Sequence, residues 1–422
     1  MKLLRDVNVH LENKRFSRIF FIFLLLLYSL VCMRKNCFSG ALAAIVAEGS
    51  LTLSQTTFIS AAFYIAYTPL QVLGGVFADK YGSATLILIG LIGSAAANVV
   101  IFFNQNYYVM LLSWVFSAMA QSALWPAVFK CFSSQLVRSD RAMMIFFMSF
   151  ASSIGLMISY VFAAALKRWQ DNFAVSAIVL LLLAVGLFII CRIADPLLKK
   201  DERPLETDHL ACEEAPKGKK VLLLFLSSGF LISLPAALVR YMVDNSSKTL
   251  TPTMLSQSYT DISPSIGNLL TILVVVSGIL GTLIVRFLLY PRLFKNEFTC
   301  TFVLLLCAIP FAVLMSFVGR IPAILCVVSL CLLSLLLTGT SFLASCFAAR
   351  FAKYRLNGTA AGLLNASYSL ALVFQYTFFG ALAEKHGWGV VTTLWIIMIS
   401  LATVLIALAI RPSIRFKREI HN

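Results

Sequence analysis

Residues 172–194 read NFAVSAIVLLLLAVGLFIICRIA, and residues 195–220 read DPLLKKDERPLETDHLACEEAPKGKK. The first stretch carries one charge, Arg192, near its end, and it is long enough to cross a bilayer, which takes about 20 apolar residues. The second has no apolar period and is rich in Lys, Glu, Asp and Pro. Going outward from this break, further apolar stretches lie near 19–46, 56–77, 83–103, 108–132 and 142–166 before it. After it they resume near 221–243, 264–289, 298–318, 322–349, 359–382 and 389–410. The sequence thus predicts twelve spans in two sixes: residues 1–194, a cytoplasmic linker at 195–220, and residues 221–422.

Composition requires the same solvent. The chain is 60% hydrophobic and 12% charged over 422 residues, with a mean hydropathy of +0.90. A soluble globular protein is about a quarter charged, so this chain lacks the polar surface to cover itself in water. Inside lipid every backbone polar group must be satisfied internally, and runs of this length do that as helices. A barrel would show alternating segments of about ten residues instead. The fold class expected is an all-α membrane protein, two six-helix bundles built as parallel repeats.

The net charge of +16 suggests a nucleic-acid binder until its distribution is followed. Roughly 26 of the basic residues fall on the side of the N-terminus and the 195–220 break, and about 5 on the other, the bias that orients spans. Both termini are therefore expected in the cytoplasm, with the lipid bilayer and no nucleic acid as partner. A cleaved leader at 19–33 is not expected, because Arg34-Lys35-Asn36 stands where a small-residue cleavage site belongs. The ten cysteines form no CxxC pair and no zinc spacing; Cys32, Cys191, Cys307, Cys326, Cys331 and Cys346 fall inside spans, where a thiol packs as a small hydrophobe. No metal, no cofactor and no enzyme chemistry is expected, since no phosphate-binding loop or nucleophile elbow occurs.

Arg34, Lys35 and Arg240 stand where lipid should be. A charge at mid-helix costs about 2.5–3.5 kcal/mol, so the two arginines cost roughly 5–7 together. No acidic residue falls inside the apolar stretches bounded above, so an anionic solute would supply the counter-ion. The plainer alternative is that each arginine snorkels to an interface. Lys35, about 100° around the helix from Arg34, need not share its cavity.

The segment Gly74-Gly75-Val76-Phe77-Ala78-Asp79-Lys80-Tyr81-Gly82 resembles the loop signature of the major facilitator superfamily, in which Gly75, Asp79, Lys80 and Gly82 would latch one conformation. A closer likeness is to the organophosphate:phosphate antiporters, which exchange glycerol-3-phosphate or hexose phosphates for phosphate. It is carried by Met33-Arg34-Lys35-Asn36, by Ala120-Gln121 with Trp125-Pro126, by Leu238-Val239-Arg240-Tyr241, and by Gly358 to Gly362 with Gly387-Trp388. The resemblance implies a phosphate clamp made by Arg34 and Arg240, with Tyr67 and Tyr368 near the site. Guanidinium suits that role, being planar, always charged and bidentate towards phosphate. The sequence departs from the pattern at Gln71 (a lysine in the family), Ser152 (a histidine), Val31 and Ala237 (tyrosines).

The function expected is alternating-access transport of a small anionic solute, a phosphorylated metabolite exchanged for inorganic phosphate, by a monomer in a bacterial inner membrane. Two rivals stay open. One is a proton- or sodium-coupled carrier of another metabolite such as a carboxylate, amino acid or nucleoside. The other is a membrane sensor of such a ligand that does not transport it.

Overall fold

The computed structural model describes residues 9–11, 13–81, 83–131, 146–194, 198–200, 219–354 and 356–421. Most of the predicted linker, the start of the predicted 142–166 span, and Gly82 lie outside these residues. The chain divides into two compact units, Met1–Glu206 and Thr207–Asn422.

In the first unit the helices are α1 (Lys14–Lys35), α2 (Cys37–Ala47), α3 (Leu53–Tyr81), α4 (Ser83–Phe103), α5 (Tyr107–Gln121), α6 (Leu124–Lys130), α7 (Ala151–Ala165) and α8 (Trp169–Ala194). A short antiparallel pair joins β1 (Val9–Leu11) to β2 (Leu198–Lys200), with Val9 opposite Lys200. Local sequence sets the helix starts. Asn13 caps α1, its side-chain oxygen accepting from the amides of Arg15 and Phe16 at 3.0 and 3.2 Å, and Asn106 caps α5 at the amide of Tyr108.

The first span is broken at Asn36, between α1 and α2. There the Asn36 side chain donates to the Cys32 carbonyl at 2.7 Å, and Ser159 of α7 donates at 3.0 Å to the Asn36 carbonyl, which also accepts from the Gly40 amide. Side-chain hydrogen bonds thus supplement the backbone ladder beside Arg34 and Lys35. Gly155 of α7 holds this region close, because a Cβ there would lie 2.3 Å from the Ser29 carbonyl oxygen and 2.6 Å from the Met33 nitrogen.

The second unit comprises α9 (Lys219–Ser227), α10 (Phe230–Thr249), α11 (Thr251–Ser258), α12 (Pro264–Ile284), α13 (Glu297–Met315), α14 (Ala323–Ala349), α15 (Asn357–His386) and α16 (Trp388–His421). Gly229, at φ 78°, turns α9 into α10 through 68°. The break therefore sits at a glycine in the left-handed region, six residues ahead of Pro235, which the helix accommodates.

Among the described residues ten helices are long and apolar enough to cross a membrane, or eleven if α9 and α10 count as one bent span. The 29-residue α3 is outside that count, because the side chains of Val72 and of residues 74–81 fall outside the described residues. The expected end of the seventh span near 243 needs correcting, since α10 runs on to Thr249 and buries Asp244 and Lys248. These two stand four residues apart and form an ion pair, so the polar stretch that looked like a loop stays helical.

Candidate functional site

Each unit contains one buried cationic centre. In the first it is built on the break between α1 and α2. The Arg34 side chain is fully buried and points at α4 and α5. Its Nε donates to Asn98 Oδ1 at 3.0 Å, and its guanidinium carbon lies 3.9 Å from the centre of the Trp114 ring. Trp114 is itself held edge-on by Phe38 at 4.6 Å.

The two terminal guanidinium nitrogens have no hydrogen-bond partner, and no carboxylate pairs with Arg34 among the described residues. The magnitudes leave a deficit. Burying an ion costs several kcal/mol even after relaxation. One bond from a charged donor returns about 1.5–3 kcal/mol, and a desolvated cation–π contact returns about 2. Each unsatisfied donor then costs about 1–3 kcal/mol. An acceptor at those two donors would return part of that cost.

Lys35 turns to the other side, towards α3. Its ammonium lies 4.6 Å from the Tyr67 ring centre, 4.7 Å from Tyr64 and 5.7 Å from Phe63. Phe63 also stands 5.9 Å from the Arg34 guanidinium, so one aromatic wall borders both cations. Tyr67 stacks on Phe63 at 5.5 Å and 17°, and thus the tyrosine meets Lys35 through its ring face. Gln71, half-buried one turn further along α3, and Ser152, exposed on α7, contribute no hydrogen bond or ring contact to either cation. Gly75, Asp79 and Lys80 lie on the last turns of α3; their side chains, like Gly82, fall outside the described residues.

The second centre is different in kind. Arg240 is 3% exposed, and it donates from Nη1 to the Leu337 carbonyl at 3.0 Å and from Nη2 to Ser341 Oγ at 2.9 Å, both on α14. The rings of Tyr241 and Tyr368 flank it at 5.8 and 5.7 Å and lie 4.6 Å from each other. Asp244, one turn on, brings Oδ2 to 3.9 Å from Nη1.

That carboxylate corrects the expectation that both arginines lack a protein counter-ion. Its Oδ1 accepts from Lys248 Nζ at 2.6 Å and from Thr338 Oγ1 at 2.8 Å, and Lys248 also donates to Thr338 at 2.6 Å. Lys248 is thereby part of this buried network. Beside Arg240 a small pocket is lined by Ser233, Ala237, Thr301, Thr340 and Ala344.

Gln375 is bound between helices, accepting from Asn245 and donating to Thr249, each at 2.9 Å. Sequence reasoning missed Asn98, Trp114, Asp244, Lys248 and Thr338. A signal existed for two of them: Arg240, Asp244 and Lys248 recur every four residues, which puts them on one helical face. No group of side chains suited to a metal ion occurs among the described residues.

Comparison with solved structures gives the architecture. A bacterial homologue of the human lysosomal transporter Spinster, in an inward-facing and occupied conformation, superposes with a TM-score of 0.76 at 14% identity, over 96% of this chain and 99% of that one. A D-xylose–proton symporter gives 0.70 at 17% identity over 93% and 97%. The nucleoside transporter NupG (D323A mutant) gives 0.66 at 12% over 92% and 99%. These likenesses establish the fold alone.

Two curated proteins align in sequence. The membrane sensor protein UhpC of Salmonella typhimurium LT2 is 25% identical over 169 residues, and that of Escherichia coli K12 is 24% identical over 171. The aligned region spans 40% of this chain and only 38% of each relative. Residues 24–376, by contrast, match one family of non-catalytic membrane transporters over most of the chain. This all-α, multi-pass membrane protein belongs to the Major Facilitator Superfamily.

Proposed function

We propose that the chain is a secondary carrier of a small anionic metabolite, with Arg34 as the residue that meets the negative group. The observation that carries this is the pair of buried terminal nitrogens on Arg34 that have no hydrogen-bond partner and no carboxylate beside them among the described residues. Lys35 adds a second positive charge, and Tyr67 sets its position through the ring face.

The narrower function, exchange of a phosphorylated metabolite for inorganic phosphate, draws its support from the Arg34 and Arg240 motifs. Against it stands Asp244, which already shares the charge of Arg240. A dianion clamped by two free arginines is thus less well supported than an ion-coupled carrier of another small acid, such as a carboxylate. Neutral-solute carriers share the fold, yet a neutral solute would leave the Arg34 donors without a counter-charge. Sensing without transport has one observation in its favour, that both curated relatives are called sensor proteins.

The same reading expects twelve spans, bundles at 1–194 and 221–422 joined by a cytoplasmic linker at 195–220, and both termini in the cytoplasm of a bacterium. The protein would act as a monomer. Gln71, Ser152 and Tyr368 would shape the solute's surroundings, and Gly75, Asp79, Lys80 and Gly82 the conformational latch.

The test is a thermal-shift screen of purified protein against phosphate, glucose 6-phosphate, dicarboxylates, amino acids and neutral sugars, paired with uptake into proteoliposomes. At least one anion should stabilise the wild type and be taken up, with neither effect in Arg34→Ala. Stabilisation by an anion without uptake identifies a sensor. Stabilisation by a neutral solute that survives Arg34→Ala removes the anion reading.

A further inference from the structure

We propose that the end of α16 is a binding site for an anionic phospholipid, with Arg411, Arg415 and Arg418 holding the lipid phosphate. The observation is one continuous face. Ile397, Leu401, Val404 and Leu408 are 57%, 47%, 57% and 62% exposed, and Arg411, Arg415 and Arg418 follow them, exposed as well. These positions are separated by alternating steps of four and three, which keeps them on one side of a helix. The opposite side, with Trp395, Ile399, Ala402, Ile406, Ser413 and Phe416, is buried.

That face runs from acyl-chain depth to headgroup depth. Arg411 stands 23 residues after the start of α16 at Trp388, about 35 Å along the axis at 1.5 Å per residue. The hydrocarbon core is about 30 Å thick, and the headgroup layers bring the total to about 40–45 Å. Arg411 therefore falls in a headgroup layer. Arg415 and Arg418 lie about 6 and 10 Å further out, from where a long side chain reaches back.

The tail is fixed, so the arginines are placed. Asn296 Nδ2 donates to Ser413 Oγ at 3.0 Å, the Lys417 ammonium donates to the Lys295 carbonyl, and Phe416 stacks on Phe351 at 4.9 Å. Arg411, Arg415 and Arg418 take part in none of the hydrogen bonds or ion pairs among the described residues. Lys295, exposed beside Lys417, adds another positive charge. Among the acidic residues of this unit with described side chains, Glu297 alone sits at this end, and it is bonded to Tyr290 and Arg350.

The bias that orients spans counts basic residues on a flank; it requires neither one face nor an anchored helix. Three arginines in register with an exposed apolar ridge go beyond it. Each offers a planar, permanently charged fork that suits phosphate, and the ridge below them offers a track for an acyl chain. That continuity selects a lipid over a free phosphate ion. The site rests on neither Arg34 nor Arg240.

The test is binding of radiolabelled phosphatidylglycerol and phosphatidylcholine, each carried in neutral-detergent micelles, to the immobilised full-length protein. An arginine near an anionic surface is worth about fivefold in affinity, so the wild type should prefer phosphatidylglycerol by about tenfold or more. Combining Arg411→Gln, Arg415→Gln and Arg418→Gln should bring the two lipids within about threefold of each other. A variant with the same loss of charge elsewhere, Lys14→Gln with Arg15→Gln and Lys219→Gln, should keep the preference. Where the triple α16 variant melts early, the single Arg415→Gln, expected to lose about fivefold, carries the same test.

Equal binding of both lipids by the wild type overturns the site. So does a preference that the α16 variants retain, or one that the control variant loses to the same extent. Inorganic phosphate, added against chloride of the same ionic strength, should leave phosphatidylglycerol bound; displacement by phosphate refutes the assignment to a lipid.

Discussion

Asn98→Asp places a carboxylate where the Arg34 centre lacks one. Asn98 Oδ1 already accepts from Arg34 Nε at 3.0 Å, and the substitution is isosteric. At charge centres about 4 Å apart and an effective dielectric near 20, the new pair is worth about 4 kcal/mol. The carboxylate's own desolvation takes back several kcal/mol. However, Asn98 Nδ2 is buried without a partner, so replacing it removes an orphan donor worth about 1–3 kcal/mol.

The empty variant should therefore melt no lower than the wild type. A solute anion would have to compete with the internal carboxylate for the same guanidinium, losing about the full 4 kcal/mol, nearly three decades of affinity. Titrating the best ligand of the thermal-shift screen against both proteins measures this. A stable Asn98→Asp protein that binds the anion within tenfold of the wild type would refute the assignment of Arg34 as the anchor.

Three further substitutions probe separate parts of the account. Trp114→Leu removes the ring 3.9 Å from the Arg34 guanidinium, and with it about 2 kcal/mol of cation–π support; both thermal stability and anion affinity should fall. Tyr67→Phe keeps the ring face over Lys35 and should bind anions like the wild type, while Tyr67→Leu should weaken binding measurably. Glu297→Gln breaks the buried contact of Glu297 with Arg350, at 2.7 Å to Nε, and with Tyr290 at 2.5 Å. It should cost about 1.5–3 kcal/mol of stability and leave the anion response carried by Arg34 unchanged in the same screen.

The helical membrane fold was legible because hydropathy is a local property summed over about 20 residues, and lipid permits few alternatives. Arg34, Lys35 and Arg240 were visible for the same reason, as charges in apolar runs. Their partners were not. Asn98 and Trp114 lie 64 and 80 positions from Arg34, and nothing in a run such as Ser94 to Asn98 says which side chain will face a distant guanidinium. The end of the seventh span was misjudged because composition treats Asp244 and Lys248 as two charges, whereas their 2.6 Å contact makes them nearly one neutral unit. Spacing by fours along α10 held that information, and reading the polar tail as a helical face would have recovered it. The family's histidine position, Ser152, drew attention through resemblance alone, and no contact ties it to either cation.

The most direct test of the central claim is solute-evoked uptake by proteoliposomes containing wild type or Arg34→Ala at matched protein density, comparing acids and phosphates with neutral analogues of the same size. The account predicts saturable entry of an anionic solute by the wild type, none of its neutral analogue, and loss of entry in Arg34→Ala despite an intact fold. Saturable transport of an uncharged sugar or nucleoside that Arg34→Ala leaves intact would contradict it.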